Sequence, residues 1–127
     1  MSGRTTAGTL DDRNRAVRQS EASFQAQVIE LAEWLGWRVM HVRTTVGRGG
    51  KHTTATSIIG YPDLTMWHEG QRRVLFVELK SDTGRATAAQ IGVLASLRAA
   101  DVEAHLWRPR DWDEITAVLG RQGTAQR

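Results

Sequence analysis

The sequence predicts an α/β domain in which helices pack on a single sheet, and three observations predict it. An apolar stripe at helical spacing, Phe24, Val28, Leu31 and Leu35, lies in the first third of the chain. Two apolar runs, Asp63 to Trp67 and Arg73 to Leu79, flank a short polar turn in the manner of a β-hairpin. Helix-opening signals stand at Thr87 and Asp111, on either side of a further strand-like run from Glu103 to Trp107. The resulting order is α-β-β-β-α-β-α, and one sheet carrying the helices is the economical way to bury its apolar faces.

Taken in order, residues 1–19 are polar, rich in Gly, Thr and Arg, and without periodicity, so they read as a flexible N-terminal arm. A first helix is expected from Ser20 as N-cap to just before Gly36, a C-terminal signal. Trp37 to Arg43 alternates, with Trp37, Val39 and His41 on one side, and reads as a strand. From Thr44 to Gly60 the chain turns to Thr, Ser and Gly, a connection long enough to be either functional or a disordered insertion. The hairpin follows, turning around Glu69 and Gly70. Thr87 and Gln90 then have capping-box spacing for a helix to about Ala100. Pro109 ends the last strand, and Asp111 with Glu114 has the same spacing for a helix to Leu119. The residues from 120 to 127 read as a flexible tail, which leaves one domain over residues 20–119.

With 127 residues there is room for one core, and 40% hydrophobic with 24% charged residues is the balance of an ordinary globular domain. The chain has no cysteine, which excludes disulfides, thiolate metal sites and cysteine nucleophiles together. No run reaches membrane-spanning length and no hydrophobic signal segment opens the chain, so a cytoplasmic protein with no membrane partner is expected. The net charge of +3 tolerates an anionic partner without demanding one. Lysine occurs only at Lys51 and Lys80. Lys80 is therefore conspicuous in a chain whose other cations are arginines.

The hairpin makes Lys80 part of a group. Antiparallel pairing across the turn sets Asp63, at the start of one strand, close to Glu78 at the end of the other. Glu78 and Lys80 are two apart and share a face, while Leu79 points the opposite way. Two carboxylates and an ammonium at one strand end suit phosphodiester hydrolysis. A hard divalent cation such as Mg²⁺ takes one or two carboxylates with water and substrate phosphate, polarises that phosphate and activates water. A neighbouring lysine orients the water or stabilises developing negative charge.

Gly60-Tyr61-Pro62-Asp63-Leu64 followed by Glu78-Leu79-Lys80 resembles the signature of the PD-(D/E)XK nucleases. Gln90 and the ending Leu106-Trp107-Arg108-Pro109-Arg110-Asp111-Trp112 make the chain similar to their VRR-NUC branch, over roughly Ser20 to Leu119. The resemblance implies a restriction-endonuclease-like mixed β-sheet flanked by helices, and DNA cleavage dependent on Mg²⁺ or Mn²⁺. It also implies selectivity for four-way junction, flap or other branched DNA, often as a homodimer. Relatives are often small phage or bacterial proteins, so the cytoplasm of a bacterium or phage-infected cell is the implied location. Carried over, Asp63 and Glu78 are metal ligands with the Leu79 carbonyl, Lys80 is catalytic and Gln90 supports the site. An acidic residue on the first helix completes the pattern in many relatives. Here the candidates are Glu21 and Gln25, one helical turn apart, and Gln25 takes that position when the helix is aligned back from Gly36.

Each residue also has a plainer reading. Glu-x-Lys at a strand end forms ordinary salt bridges, and Pro-Asp is a turn signal. Gln90 suits a capping box, and an acid such as Glu21 in a first helical turn favours the helix dipole. Gln25 could edge the core, His41 suits a structural role and His68 a turn. Trp34, Trp37 and Trp107 read as packing residues, with base stacking as the other use of a tryptophan. Arg43, Arg48, Lys51 and His52, in and beside the Thr44 to Gly60 connection, are candidate DNA-phosphate contacts. The rivals to a nuclease are a non-catalytic nucleic-acid-binding module of the same fold and a purely structural domain.

Overall fold

The computed structural model describes residues 10–42, 44–46, 52–54 and 57–121. The elements are α1 (Leu10–Trp34), β1 (Arg38–His41), β2 (Thr44–Val46), β3 (His52–Thr54), β4 (Leu64–His68) and β5 (Arg73–Leu79). After them come α2 (Ala88–Ala99), β6 (Glu103–Trp107), a 3₁₀ turn (Pro109–Asp111) and α3 (Trp112–Leu119). The main sheet has the order β1-β4-β5-β6. β1, β4 and β5 pair antiparallel in succession, and β6 joins β5 in parallel after the α2 crossover. This is the mixed sheet with flanking helices that the sequence predicts.

Helix α1 starts ten residues before the expected N-cap. No Gly or Pro interrupts Leu10 to Trp34, so the helix runs through Ser20, which is an interior residue. The expected flexible arm is thus helical from Leu10, and residues 1–9 lie outside the described residues. Phe24, Val28 and Ala32 bury one face against the sheet. The helix ends as expected before Gly36, whose φ of +95° continues into β1.

The second difference is in the Thr44 to Gly60 connection, which holds β2 and β3 as a separate two-stranded sheet. Thr and Val at these positions favour extended backbone. Arg43, Arg48 and Lys51 lie outside the described residues, and His52 is described only as backbone in β3. At the other end of the chain, Gly120 and Arg121 follow α3, and the rest of the expected tail also lies outside the described residues.

The core lies between the sheet and α1 with α3. Leu64, Met66, Leu75 and Val77 from the central strands meet Phe24, Val28, Trp37, Ile115 and Leu119. Trp37 and Trp107 are buried as expected, but Trp34 is 85% exposed, because it falls on the outer side of the last turn of α1. His68 is structural. Its Nδ1 accepts the Gln71 N–H at 3.1 Å, so Nε2 carries the proton and donates to the Leu35 carbonyl at 2.9 Å. That pins the β4–β5 turn to the end of α1. The capping box expected between Asp111 and Glu114 does not form. Pro109 opens a 3₁₀ turn instead, and the Asp111 carboxylate reaches back to the Arg108 N–H at 2.8 Å.

Among the described residues, no helix is long and apolar enough to cross a membrane.

Candidate active site

The β4–β5 register decides the site. Leu64 pairs with Val77 and His68 with Arg73. One step further along that ladder, Asp63 stands opposite Glu78. Asp63 is held from both sides by backbone groups: its carbonyl accepts the Val42 N–H at 3.0 Å, and its Oδ2 accepts the Leu79 N–H at 2.8 Å. Lys80 is anchored through its own N–H, which donates to the Trp107 carbonyl at 3.0 Å. The three residues read from the sequence are thus brought together, each on rigid backbone.

Their electrostatics are unusual. Glu78 is only 2% exposed, and its Oε1 is buried without a hydrogen-bond partner. Its Oε2 lies 3.7 Å from the Lys80 ammonium, a looser approach than a direct charged hydrogen bond. Burial pushes the Glu78 carboxyl up to about 8, with help from the adjacent Asp63 charge and against the pull of Lys80. A buried acid with one oxygen unsatisfied is costly by itself. It fits a cation that would replace the missing partner.

Among the described residues, no three His, Asp or Glu side chains gather as a metal cluster. Two carboxylates suit a hard cation that keeps water and substrate as its other ligands.

Further residues frame this group. The backbone at Gly60 has φ +87°, and a Cβ there would come within 2.6 Å of the Ala89 backbone. The strand leading to Asp63 therefore rides directly on the first turn of α2, which is where Gln90 sits. Gln90 completes the expected capping box: its Oε1 accepts the Thr87 N–H at 2.9 Å, and its own N–H donates to Thr87 Oγ1 at 3.1 Å. The structure thus bears out its structural role and places its helix turn against the Gly60 to Asp63 segment. On the other side, Glu21 Oε1 would stand 3.1 Å from a Cβ on Gly84, so this carboxylate borders the loop that follows Lys80. Gln25, one turn further along α1, is half-buried.

Sequence reading missed the clamp on that loop. One Arg108 nitrogen donates to the carbonyls of Ser81 and Gly84, both at 2.6 Å. Arg110 adds a backbone bond to Asp82 at 3.1 Å. The loop after Lys80 is therefore tied to the end of β6. The signal was present in the Trp107-Arg108-Pro109 run, but nothing local says which carbonyls an arginine will reach.

A mixed sheet with three flanking helices and an acid pair beside a lysine at the β4–β5 end defines an α/β domain of restriction-endonuclease-like architecture. The family model described as the VRR-NUC domain matches residues 52–110. That segment holds Asp63, Glu78, Lys80 and Gln90, and over it the chain is similar to the VRR-NUC family. No curated protein and no solved structure matches the chain.

Proposed function

We propose that the protein is an endonuclease that hydrolyses DNA phosphodiester bonds with Mg²⁺ or Mn²⁺ held by Asp63 and Glu78. The observation that carries this reading is the unsatisfied, buried Glu78 oxygen beside a second carboxylate and a lysine. Asp63 Oδ2 accepts the Leu79 N–H, which fixes the side chain beside Glu78. The Leu79 carbonyl is the third candidate ligand. When bound, the cation supplies Lewis acidity to the phosphate and makes water a competent nucleophile near neutral pH.

The chain's own groups do the rest. Lys80, held close to Glu78 and partly open to solvent, places positive charge where the attacked phosphate gains negative charge. Gln90, on the turn of α2 that meets Gly60, and Glu21, beside the loop at Gly84, are the proposed supporting residues. Gln25 is the alternative contributor from α1. Arg43, Arg48, Lys51 and His52 are proposed phosphate contacts, so neutralising Arg48 and Lys51 weakens binding and flattens its salt dependence. Four-way junction, flap or other branched DNA is the proposed substrate, and a homodimer would match the two-fold symmetry of a junction.

The test is incubation of labelled single-stranded, duplex, flap and four-way-junction DNA with the protein in Mg²⁺, Mn²⁺ or EDTA. Cleavage is expected with either metal and not in EDTA. Lys80→Ala and Asp63→Asn each lower the rate by about 100-fold or more, the scale of losing one electrostatic contact to the transition state. Junction binding without cleavage under any metal would make the protein a binder instead. Sedimentation showing only monomer, with and without junction DNA, would remove junction resolution.

A further inference from the structure

The main sheet is covered unequally. α1 and α3 close the face that carries Leu64, Met66, Leu75 and Val77. On the opposite face α2 packs over β6, where Ala104 and Leu94 are buried outside the main core. The rest of that face, on β1, β4 and β5, is open around Arg38, Met40, Trp67 and Val74 and closes toward the buried Glu78, and the strand register orders it in rows. Arg38 aligns with Trp67 and Val74, and Met40 aligns with Thr65 and Phe76. The next row is Asp63 with Glu78. Met40 is 46% exposed, Trp67 39% and Val74 50%, and Arg38 is exposed beside them. Tyr61 leans on this face too, with its hydroxyl 3.1 Å from Thr65 Oγ1 and its ring edge-on to Phe76.

We infer that this open face is a track for single-stranded nucleic acid, on which a base stacks against Trp67 while the strand runs on to the acid pair. The direction of the track rests on the nuclease reading of Asp63 and Glu78; the binding itself does not. Chemistry and charge select this occupant. A single strand offers bare base faces to an accessible aromatic, and Arg38 at the same level meets its phosphates. A duplex presents phosphates outward and has no use for Met40, Trp67 and Val74. The only acids on this face of the four strands are Asp63 and Glu78, at one end, with Lys80 directly beyond them. An anionic chain thus meets cations at both ends, and meets negative charge only where a metal would neutralise it.

The reach is also suitable. Trp67 and Asp63 are four residues apart along one strand, roughly 13 Å at ~3.3 Å per residue. That spans about four nucleotides of a stacked strand at ~3.4 Å each, and fewer of an extended one. Self-association is the competing use of an exposed apolar face. The open patch amounts to three half-exposed apolar side chains and one arginine, a small share of the about 800 Å² per partner that a stable dimer buries.

The experiment is a titration of the full chain, in EDTA, against fluorescent oligothymidylate and a duplex of the same length. Trp67→Ala should weaken oligothymidylate binding by about tenfold, the lower part of the range for losing one stacked base, and leave duplex binding unchanged. Trp67→Phe should restore most of the affinity, and Arg38→Glu should weaken the single strand independently of any effect on folding at position 67. Thermal melts of each variant exclude unfolding. Equal single-strand affinity for wild type, Trp67→Ala and Arg38→Glu overturns the track. So does a dimer in sedimentation that Trp67→Ala dissociates. Because binding is read without metal, absence of cleavage in parallel reactions with Mg²⁺ or Mn²⁺ would defeat the nuclease reading and leave the track standing.

Discussion

The two ends of β5 carry the same kinds of group and treat them in opposite ways. At the first residue, Arg73 uses its guanidinium fully. It donates to Glu103 at 3.1 and 2.6 Å, to Gln71 at 2.6 Å and to the Val118 carbonyl at 2.8 Å, and it lies 5.1 Å from the centre of the Trp37 ring. At the last turn of the same strand, Glu78 and Lys80 stand 3.7 Å apart, and a buried carboxylate oxygen has no partner. Burial alone does not separate these ends, since both are largely withdrawn from water. Satisfaction separates them. A polar group that has spent its bonding capacity on its own chain holds the fold, and a buried carboxylate that has not is a candidate to receive a ligand.

The largest break in this comparison comes from exchanging the consequences of two lysine- and arginine-directed substitutions. Arg73→Ala leaves Glu103 without its main partner and should cost about 2–4 kcal/mol of stability, near the lower bound for opening a buried pair. Its cleavage rate at a temperature where it remains folded should stay within a few-fold of wild type. Lys80→Ala should do the reverse, keeping the melting temperature and losing cleavage. Denaturant titration beside a cleavage assay reads both. Loss of both properties in both variants would mean that the two ends are not separable.

A sharper comparison uses pH. For Glu78, a folded value near 8 against about 4.5 when unfolded means that the folded state holds the extra proton between those limits. Its contribution to stability is therefore present below about 4.5 and is lost as pH rises through about 8. Glu78→Gln should accordingly stabilise the metal-free protein above pH 8 by roughly 1–3 kcal/mol, the scale of an unsatisfied buried group. The same variant should lose the rise in melting temperature that Mn²⁺ gives wild type. Glu103 behaves oppositely. Burial raises its carboxyl, but the hydrogen bonds and charges of His105 and Arg73 outweigh burial and hold it down at about 2. Its contribution is present above the unfolded value and lost as pH falls through about 2, so acid melts should report on Arg73→Ala and not on Glu78→Gln.

The smallest expected effect is at Arg108. Because it reaches the loop after Lys80 and not the acid pair, Arg108→Lys should lower the cleavage rate by about tenfold, within the cost of a small misplacement at a reacting centre. DNA affinity should be unchanged, and the melting temperature should shift by only a few degrees. A change in affinity with no change in rate would place Arg108 among the DNA contacts instead of behind Lys80.

Much of the acid pair was legible because its geometry is carried by a hairpin, and a hairpin is a local object. Turn residues at Glu69 and Gly70 with two alternating runs fix the register, and the register alone sets Asp63 against Glu78. Strand β6 was legible for a similar reason, a short apolar run that Pro109 ends. Signals that compete locally were not resolved. Ser20 is a good N-cap residue, yet it sits inside an uninterrupted run of helix formers, and the run prevails. Asp111 could cap with Glu114 or reach back to Arg108, and Pro109 decides it by opening a tighter turn. Glu21 against Gln25 is a question of which turn of the helix meets the loop at Gly84, and that depends on how α1 lies along the sheet. The Arg108 clamp spans more than twenty residues of sequence, so no pattern in its neighbourhood announces it.

The pairing of β4 with β5 across one short turn also has a meaning in folding time. Hairpins close in microseconds, whereas the parallel docking of β6 must wait for the α2 crossover. Asp63 and Glu78 therefore meet early, while water still shields their repulsion, and Glu78 is stripped of solvent only when β6 closes on the strand's other edge. The chemistry of the site is thus set against the step that buries Glu78, and a divalent cation present during refolding should favour that step.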